Sequence, residues 1–158
     1  MKAKLLAIFA LVIVLSSCRD VEELPPNVLI EGTFQSNAEV GAGWGTGKFN
    51  YENTLKFNSN GTVYAEGVTK DLETGEVLGY RFYYTGTFSI VDENVQIIPD
   101  EYFHMNVADI DYLPKEDLLS HQEVVYTENY NIAENFTKLT YFCPDNECGT
   151  GIPYFKLD

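Results

Sequence analysis

Positive charge is what this chain has least of: ten Lys and Arg stand against 24 Asp and Glu, a formal net charge of −14 over 158 residues. A surface of that sign repels phosphate backbones and anionic headgroups, so a nucleic-acid partner and an electrostatic membrane contact are not expected, although a cationic protein partner is compatible with it. Histidine is scarce as well. His104 and His121 are the only two, neither stands in a metal-ligand spacing or beside a nucleophile motif, and there is no Gly-x-Ser-x-Gly. No catalytic residue, no metal and no cofactor is therefore expected, and the protein is read as a non-enzyme. Tryptophan occurs once, at Trp44, and cysteine three times, at Cys18, Cys143 and Cys148. The longest unbroken apolar run, residues 5–15, is shorter than the roughly 20 residues a membrane-spanning helix needs.

That run has a different meaning. Lys2 and Lys4 precede it, and it ends in Leu15-Ser16-Ser17-Cys18. A positive start, an apolar stretch of this length and small residues at its end form the pattern of a secretion signal. The last four residues resemble the lipobox of bacterial lipoproteins, in which a peptidase cleaves just before a diacylglycerol-bearing cysteine. The resemblance implies a signal helix and peptide over residues 1–17, lipid on Cys18 and a membrane partner reached through that lipid. Two or more acyl chains hold a protein stably, at about 0.8 kcal/mol per buried CH₂. The location implied is the bacterial outer membrane, on its periplasmic or cell-surface face. Residues 18–27 contain Arg19-Asp20-Val21-Glu22-Glu23 and then Pro25-Pro26, an extended tether between lipid and fold.

Removal of residues 1–17 takes away two basic residues and no acidic one, so the net charge moves from −14 to −16. The remainder, with residues 28–158 beyond the tether, is one domain's worth of chain. With Cys18 used by lipid, Cys143 and Cys148 are left as an even pair in Cys-Pro-Asp-Asn-Glu-Cys. The spacing is not Cys-x-x-Cys, and no second pair completes a zinc site. A structural disulfide across a tight turn is expected, stabilising by only about 2 kcal/mol because the loop is short.

The domain reads almost wholly as strands. Val28, Ile30 and Phe34 alternate with Glu31, Thr33 and Gln35, and Tyr51, Leu55 and Phe57 with Glu52, Thr54 and Lys56. Asn60-Gly61 then signals a hairpin, since both residues tolerate positive φ, and 62–66 returns. Tyr80, Phe82, Tyr84, Phe88 and Ile90 form the inward face of the clearest strand, with Arg81, Thr85, Thr87 and Ser89 on the other face and Gly86 marking a bend. Tyr51 is placed inward, Tyr64 and Tyr83 outward. Further strands are expected at 95–98, 102–107, 123–127, 137–143 and 152–157, and one short helix at 114–119, where Pro is followed by acids. So many short strands mean an antiparallel barrel or sandwich.

Ile30-Glu31-Gly32-Thr33-Phe34, Leu55-Lys56-Phe57-Asn58-Ser59-Asn60-Gly61-Thr62 and Tyr84-Thr85-Gly86-Thr87-Phe88-Ser89-Ile90 resemble strand motifs of small lipocalin-like lipoproteins. The resemblance implies an all-β, antiparallel barrel of about eight strands with a small, partly apolar ligand in its interior or mouth. Phe34 holds the place that lipocalins give to a Trp. Trp44 lies instead in Gly41-Ala42-Gly43-Trp44-Gly45-Thr46-Gly47, which leads into a strand and so is no dinucleotide loop. It is either packed over the core or exposed at a barrel mouth. The expected ligand-facing residues are Trp44, Tyr51, Tyr80, Phe82 and Tyr84. Asp109-Ile110-Asp111 and Asp145-Asn146-Glu147 lack a calcium-loop spacing and read as solvated turns. Two alternatives stay open: an acidic envelope protein that inhibits a cationic enzyme, and a glycan-binding surface lipoprotein using exposed Tyr or Trp.

Overall fold

The computed structural model describes residues 24–40, 49–106, 111–121, 127–142 and 151–158. Nine strands form one antiparallel sheet: β1 (Gly32–Val40), β2 (Phe49–Phe57), β3 (Thr62–Asp71), β4 (Val77–Val91), β5 (Asn94–His104), β6 (Leu119–His121), β7 (Glu128–Ala133), β8 (Lys138–Tyr141) and β9 (Tyr154–Lys156). The order β4-β3-β2-β1-β9-β8-β7-β5, with β4 also paired to β5, closes an eight-stranded barrel, and β6 is an extra strand on β5. Closure leaves no free sheet edge along most of the wall. The expected all-β barrel is what the chain forms.

Alternation built the long strands. In β2, Leu55 and Phe57 are buried while Lys56 between them is exposed, and Val63 and Ala65 are buried opposite them in β3. The β2–β3 hairpin turns at Asn58–Thr62, where Gly61 has φ +87° and Asn60 Oδ1 accepts from the Thr62 amide. Asp92 and Glu93, both at positive φ, make the two-residue turn that joins β4 to β5. The resulting core fills one end of the barrel with Ile30, Phe34, Leu55, Phe57, Val95, Ile97 and Leu139, each at most 2% exposed.

Several expectations are corrected. Val28 and Ile30 do not belong to the first strand: Pro26–Leu29 is a single helical turn, α1, and the strand begins at Gly32. Pro26 stands where a helix needs no N–H, and the turn drops Ile30, fully buried, into the barrel end. The helix expected at 114–119 is only a 3-10 turn, Lys115–Asp117. On one side Leu113 bridges to Tyr80, and on the other Leu119 pairs with His104, so the chain is extended at both ends. The separate strands expected at 95–98 and 102–107 are one strand, β5, interrupted by a bulge: Gly86 faces Pro99 and Thr85 faces Glu101, which leaves Asp100 unpaired. Val107 lies outside the described residues, as does 123–126 of another expected strand. The strand Glu128–Ala133 was not anticipated, because two asparagines obscure the alternation of Tyr130 and Ile132.

The correction with the largest consequence lies in β4. Gly67 pairs with Phe82 and Val68 with Tyr80, so Arg81 is the extra residue of a bulge. The bulge reverses the facing of the residues before it. Tyr80, expected inside, lies on the outer wall with Tyr64 and Tyr83; Arg81, expected outside, turns into the barrel.

Candidate functional site

The barrel's second end is lined by polar and aromatic groups. Arg81 lies with its guanidinium carbon 4.2 Å from the Tyr51 ring centroid and 5.9 Å from that of Phe82. Its Nη2 donates to Oδ1 of Asn53. Among the described residues its buried Nε has no hydrogen-bond partner and no carboxylate forms an ion pair with it. Burial pushes the Arg81 pKa down, opposed by neighbouring tyrosines, but a guanidinium stays charged in a protein. A buried cation without a counter-charge is costly, and among the described residues Asn53 is the only side chain that accepts a hydrogen bond from this one.

Around Arg81 stands a set of tyrosines. Tyr84 and Tyr130 both donate to Oε2 of Glu128, at 2.7 and 2.8 Å. Tyr154 lies beside Tyr130 and Asn53, both of which act to lower its pKa, and its ring meets that of Tyr130 edge-on at 5.7 Å. Phe82, Tyr84 and Tyr102 form a triangle of rings with centroids 5.7–6.3 Å apart. Burial, then the charge of Glu128, raises the Tyr154 pKa to about 12 and that of Tyr130 well above its ordinary value.

These shifts set a pH window. The folded state holds its phenolic protons where an unfolded tyrosine, with a pKa near 10, releases them, so the unfolded state binds fewer protons and stability falls as pH rises. We expect stability to be intact below pH 10 and to drop progressively towards pH 12, by about 2–3 kcal/mol from Tyr154 alone. Urea midpoints between pH 9 and 12 check this, and a midpoint flat across that range would contradict the buried tyrosine cluster.

A cleft leads to this cluster through the wall. β1 pairs with β9 only at Phe34–Lys156 and Gln35–Phe155. Beyond that pairing the two strands part, and a cleft of about 230 Å³ opens between Ser36 and Ala38 on one side and Tyr141 and Tyr154 on the other, with Asn53 and Tyr130 on its floor. Asn53 thus belongs both to the cleft and to the Arg81 contact. The volume is below the roughly 300–1,000 Å³ of drug-sized sites, so the cleft suits a small molecule or one end of a longer one. Comparison with protein-family models, curated proteins and solved structures finds no match.

The adjacent rim is crossed by the segment after residue 110. Inside, Oδ1 of Asp111 accepts from the Tyr51 hydroxyl at 2.8 Å and its carbonyl accepts from Thr69 Oγ1 at 2.7 Å. Leu113 then exchanges two backbone hydrogen bonds with Tyr80. This close passage requires glycine at position 79, where a Cβ would stand 2.7 Å from the Leu113 carbonyl oxygen and from the Tyr112 ring. Outside, Lys115 Nζ lies 4.6–5.6 Å from the ring centroids of Tyr83, Tyr80 and Tyr64 and 4.0 Å from Glu66. The segment is fastened on both sides of the wall.

Of the residues expected to face a ligand, Tyr51, Phe82 and Tyr84 lie in the interior around Arg81, Tyr80 is on the outer wall, and Trp44 lies outside the described residues. So do Cys18, Cys143, Cys148, Asp109 and the 145–147 segment. Sequence reading missed Arg81, Asn53, Glu128, Tyr130 and Tyr154. The lone Arg within the aromatic strand Tyr80–Tyr84 was the available signal.

Proposed function

We propose that the protein is a membrane-anchored, non-catalytic lipoprotein whose barrel binds a small, partly apolar ligand, with an anionic or hydrogen-bond-accepting head on Arg81. The observation that carries this reading is the guanidinium turned into the barrel with an orphaned Nε and no paired carboxylate among the described residues. Asn53 and the Tyr130 and Tyr154 hydroxyls add polar groups beside it, and the Phe82, Tyr84 and Tyr102 rings supply the apolar surface. A closed barrel supports the reading, since sites in barrel mouths join a largely apolar lining to a few converging polar groups. The resemblance of Leu15-Ser16-Ser17-Cys18 to a lipobox supports lipid attachment at the bacterial outer membrane.

Native mass spectrometry of protein isolated from its own cell envelope is the direct test. The wild type is expected to carry a small molecule, and Arg81→Met to bind it about 10- to 100-fold more weakly, while unliganded stability holds or rises because an unpaired buried charge is gone. An empty wild type, or equal retention by the variant, would sink the proposal. Anchoring is tested separately by Cys18→Ser, which is expected to abolish both signal processing and membrane attachment. Unchanged attachment would rule out lipid on that residue.

A further inference from the structure

The two histidines, 17 residues apart in sequence, meet in the fold. Leu119–His121 pairs antiparallel with the end of β5, placing His104 opposite Leu119 and Tyr102 opposite His121, so both imidazoles project from one face of adjoining strands. His104 Nε2 and His121 Nδ1 are 3.2 Å apart, with ring centroids 5.2 Å apart. The other nitrogen of His104, Nδ1, lies 2.7 Å from the Met105 carbonyl oxygen. A carbonyl can only accept, so Nδ1 carries the proton and the lone pair of a neutral ring sits on Nε2, directed at His121. The chain is held at this point, because the Met105 amide donates to the Arg81 carbonyl at 2.9 Å. An imidazole whose far N–H is held by a backbone carbonyl is the usual outer support of a metal-ligating histidine.

From this geometry we propose that His104 and His121 form a two-histidine site for a divalent transition-metal ion that prefers imidazole, such as Zn²⁺ or Cu²⁺. Two nitrogens at the observed separation, each about 2.0–2.1 Å from one ion, subtend roughly 100° at it, close to a tetrahedral angle. In the ion-free structure His104 Nε2 accepts from His121 Nδ1–H; the ion replaces that hydrogen bond, taking Nε2 of His104 and Nδ1 of His121, whose exposed ring then carries its proton on Nε2. Among the described residues no third His, Cys, Asp or Glu joins the pair, and the two imidazoles are the ligands assigned to the ion. The strongly acidic chain raises the local concentration of cations. The inference does not rest on ligand binding at Arg81.

Calorimetric titration of the intact chain with ZnCl₂ and CuCl₂ in a non-chelating buffer tests the site. One ion per chain is expected, with affinity reduced about tenfold or more in both His104→Gln and His121→Gln. Imidazole ¹⁵N spectra of the wild type provide a readout that needs no variant: zinc is expected to shift Nε2 of His104 and Nδ1 of His121, with Nδ1 of His104 remaining protonated. Ring nitrogens unmoved at millimolar zinc, or undiminished binding in the His104→Gln/His121→Gln double variant, would overturn the proposal.

Discussion

Phe57→Ala is expected to destabilise the barrel by about 3–5 kcal/mol, a large part of the roughly 5–15 kcal/mol that holds a typical domain folded. Phe57 is 1% exposed, at the end of β2 where the sheet turns towards α1. Its ring meets Phe34 edge-on at 5.6 Å and Phe88 at 4.9 Å, so truncation removes two aromatic contacts along with the buried area. The hole opens among Phe34, Leu55 and Ile30, which the closed strand pairings on either side keep from collapsing inwards. Urea denaturation measures the loss. Phe155→Ala is the control: that ring is 49% exposed, and its removal is expected to cost no more than about 0.5 kcal/mol. Similar values for the two variants would contradict the packing described.

Gly86→Ala is expected to cost about 3 kcal/mol, the upper part of the range for overpacking, and to loosen the seam that closes the barrel. A strand glycine with room for a side chain gains about 0.4–1 kcal/mol on substitution by alanine, because the unfolded chain loses freedom. Here the sign is reversed by space. A Cβ at position 86 would lie 2.4 Å from the Ile98 carbonyl oxygen and 2.9 Å from Pro99 Cα. Both are backbone atoms, so no rotamer change relieves the clash. The β5 bulge that skips Asp100 lies directly opposite, which is where the 15-residue β4 bends to meet β5. Thermal melting gives the sign and amide hydrogen exchange gives the place, with protection expected to fall in 87–91 and 94–98 first. A variant as stable as the wild type would mean that β4 and β5 do not approach so closely.

Local chemistry in the sequence was enough to place β2, β3, the Asn-Gly hairpin between them and the apolar face of β4 beyond Gly86. In each, strict alternation runs for several residues, and a slip of one position would expose the whole buried set. The readings failed where alternation was short or broken. Val28 and Ile30 look like the start of a strand, but Pro25-Pro26 and the need to cap the barrel end fold them into a helical turn. Pro114 followed by acids looks like a helix start, but the pairing of Leu113 with Tyr80 and of Leu119 with His104 holds that chain extended. At Tyr80 and Arg81 the alternation is regular, and a bulge opposite Gly67 and Val68 still inverts it. A bulge is set by how two strands accommodate the curvature of a closing sheet, which neither strand records alone.

The candidate site shows the same division. Tyr51, Phe82 and Tyr84 were legible as inward-facing because each shares a face with residues that have no alternative to burial. Arg81 was not, since charge argues for solvent until a bulge turns it inward. Glu128, Tyr130 and Tyr154 come from short strands that pair with segments far away in sequence, and His104 meets His121 only through β6. By itself, then, the sequence determined the all-β class, the long antiparallel strands, the acidic surface and the lipobox-like resemblance at Cys18, because these depend on residue type and near-neighbour period. Closure into a barrel, the position of its bulges and the gathering of one cation and several phenols at one end were decided by the tertiary structure. They depend on which strands meet and in what register, and register is settled by the packing of the whole core.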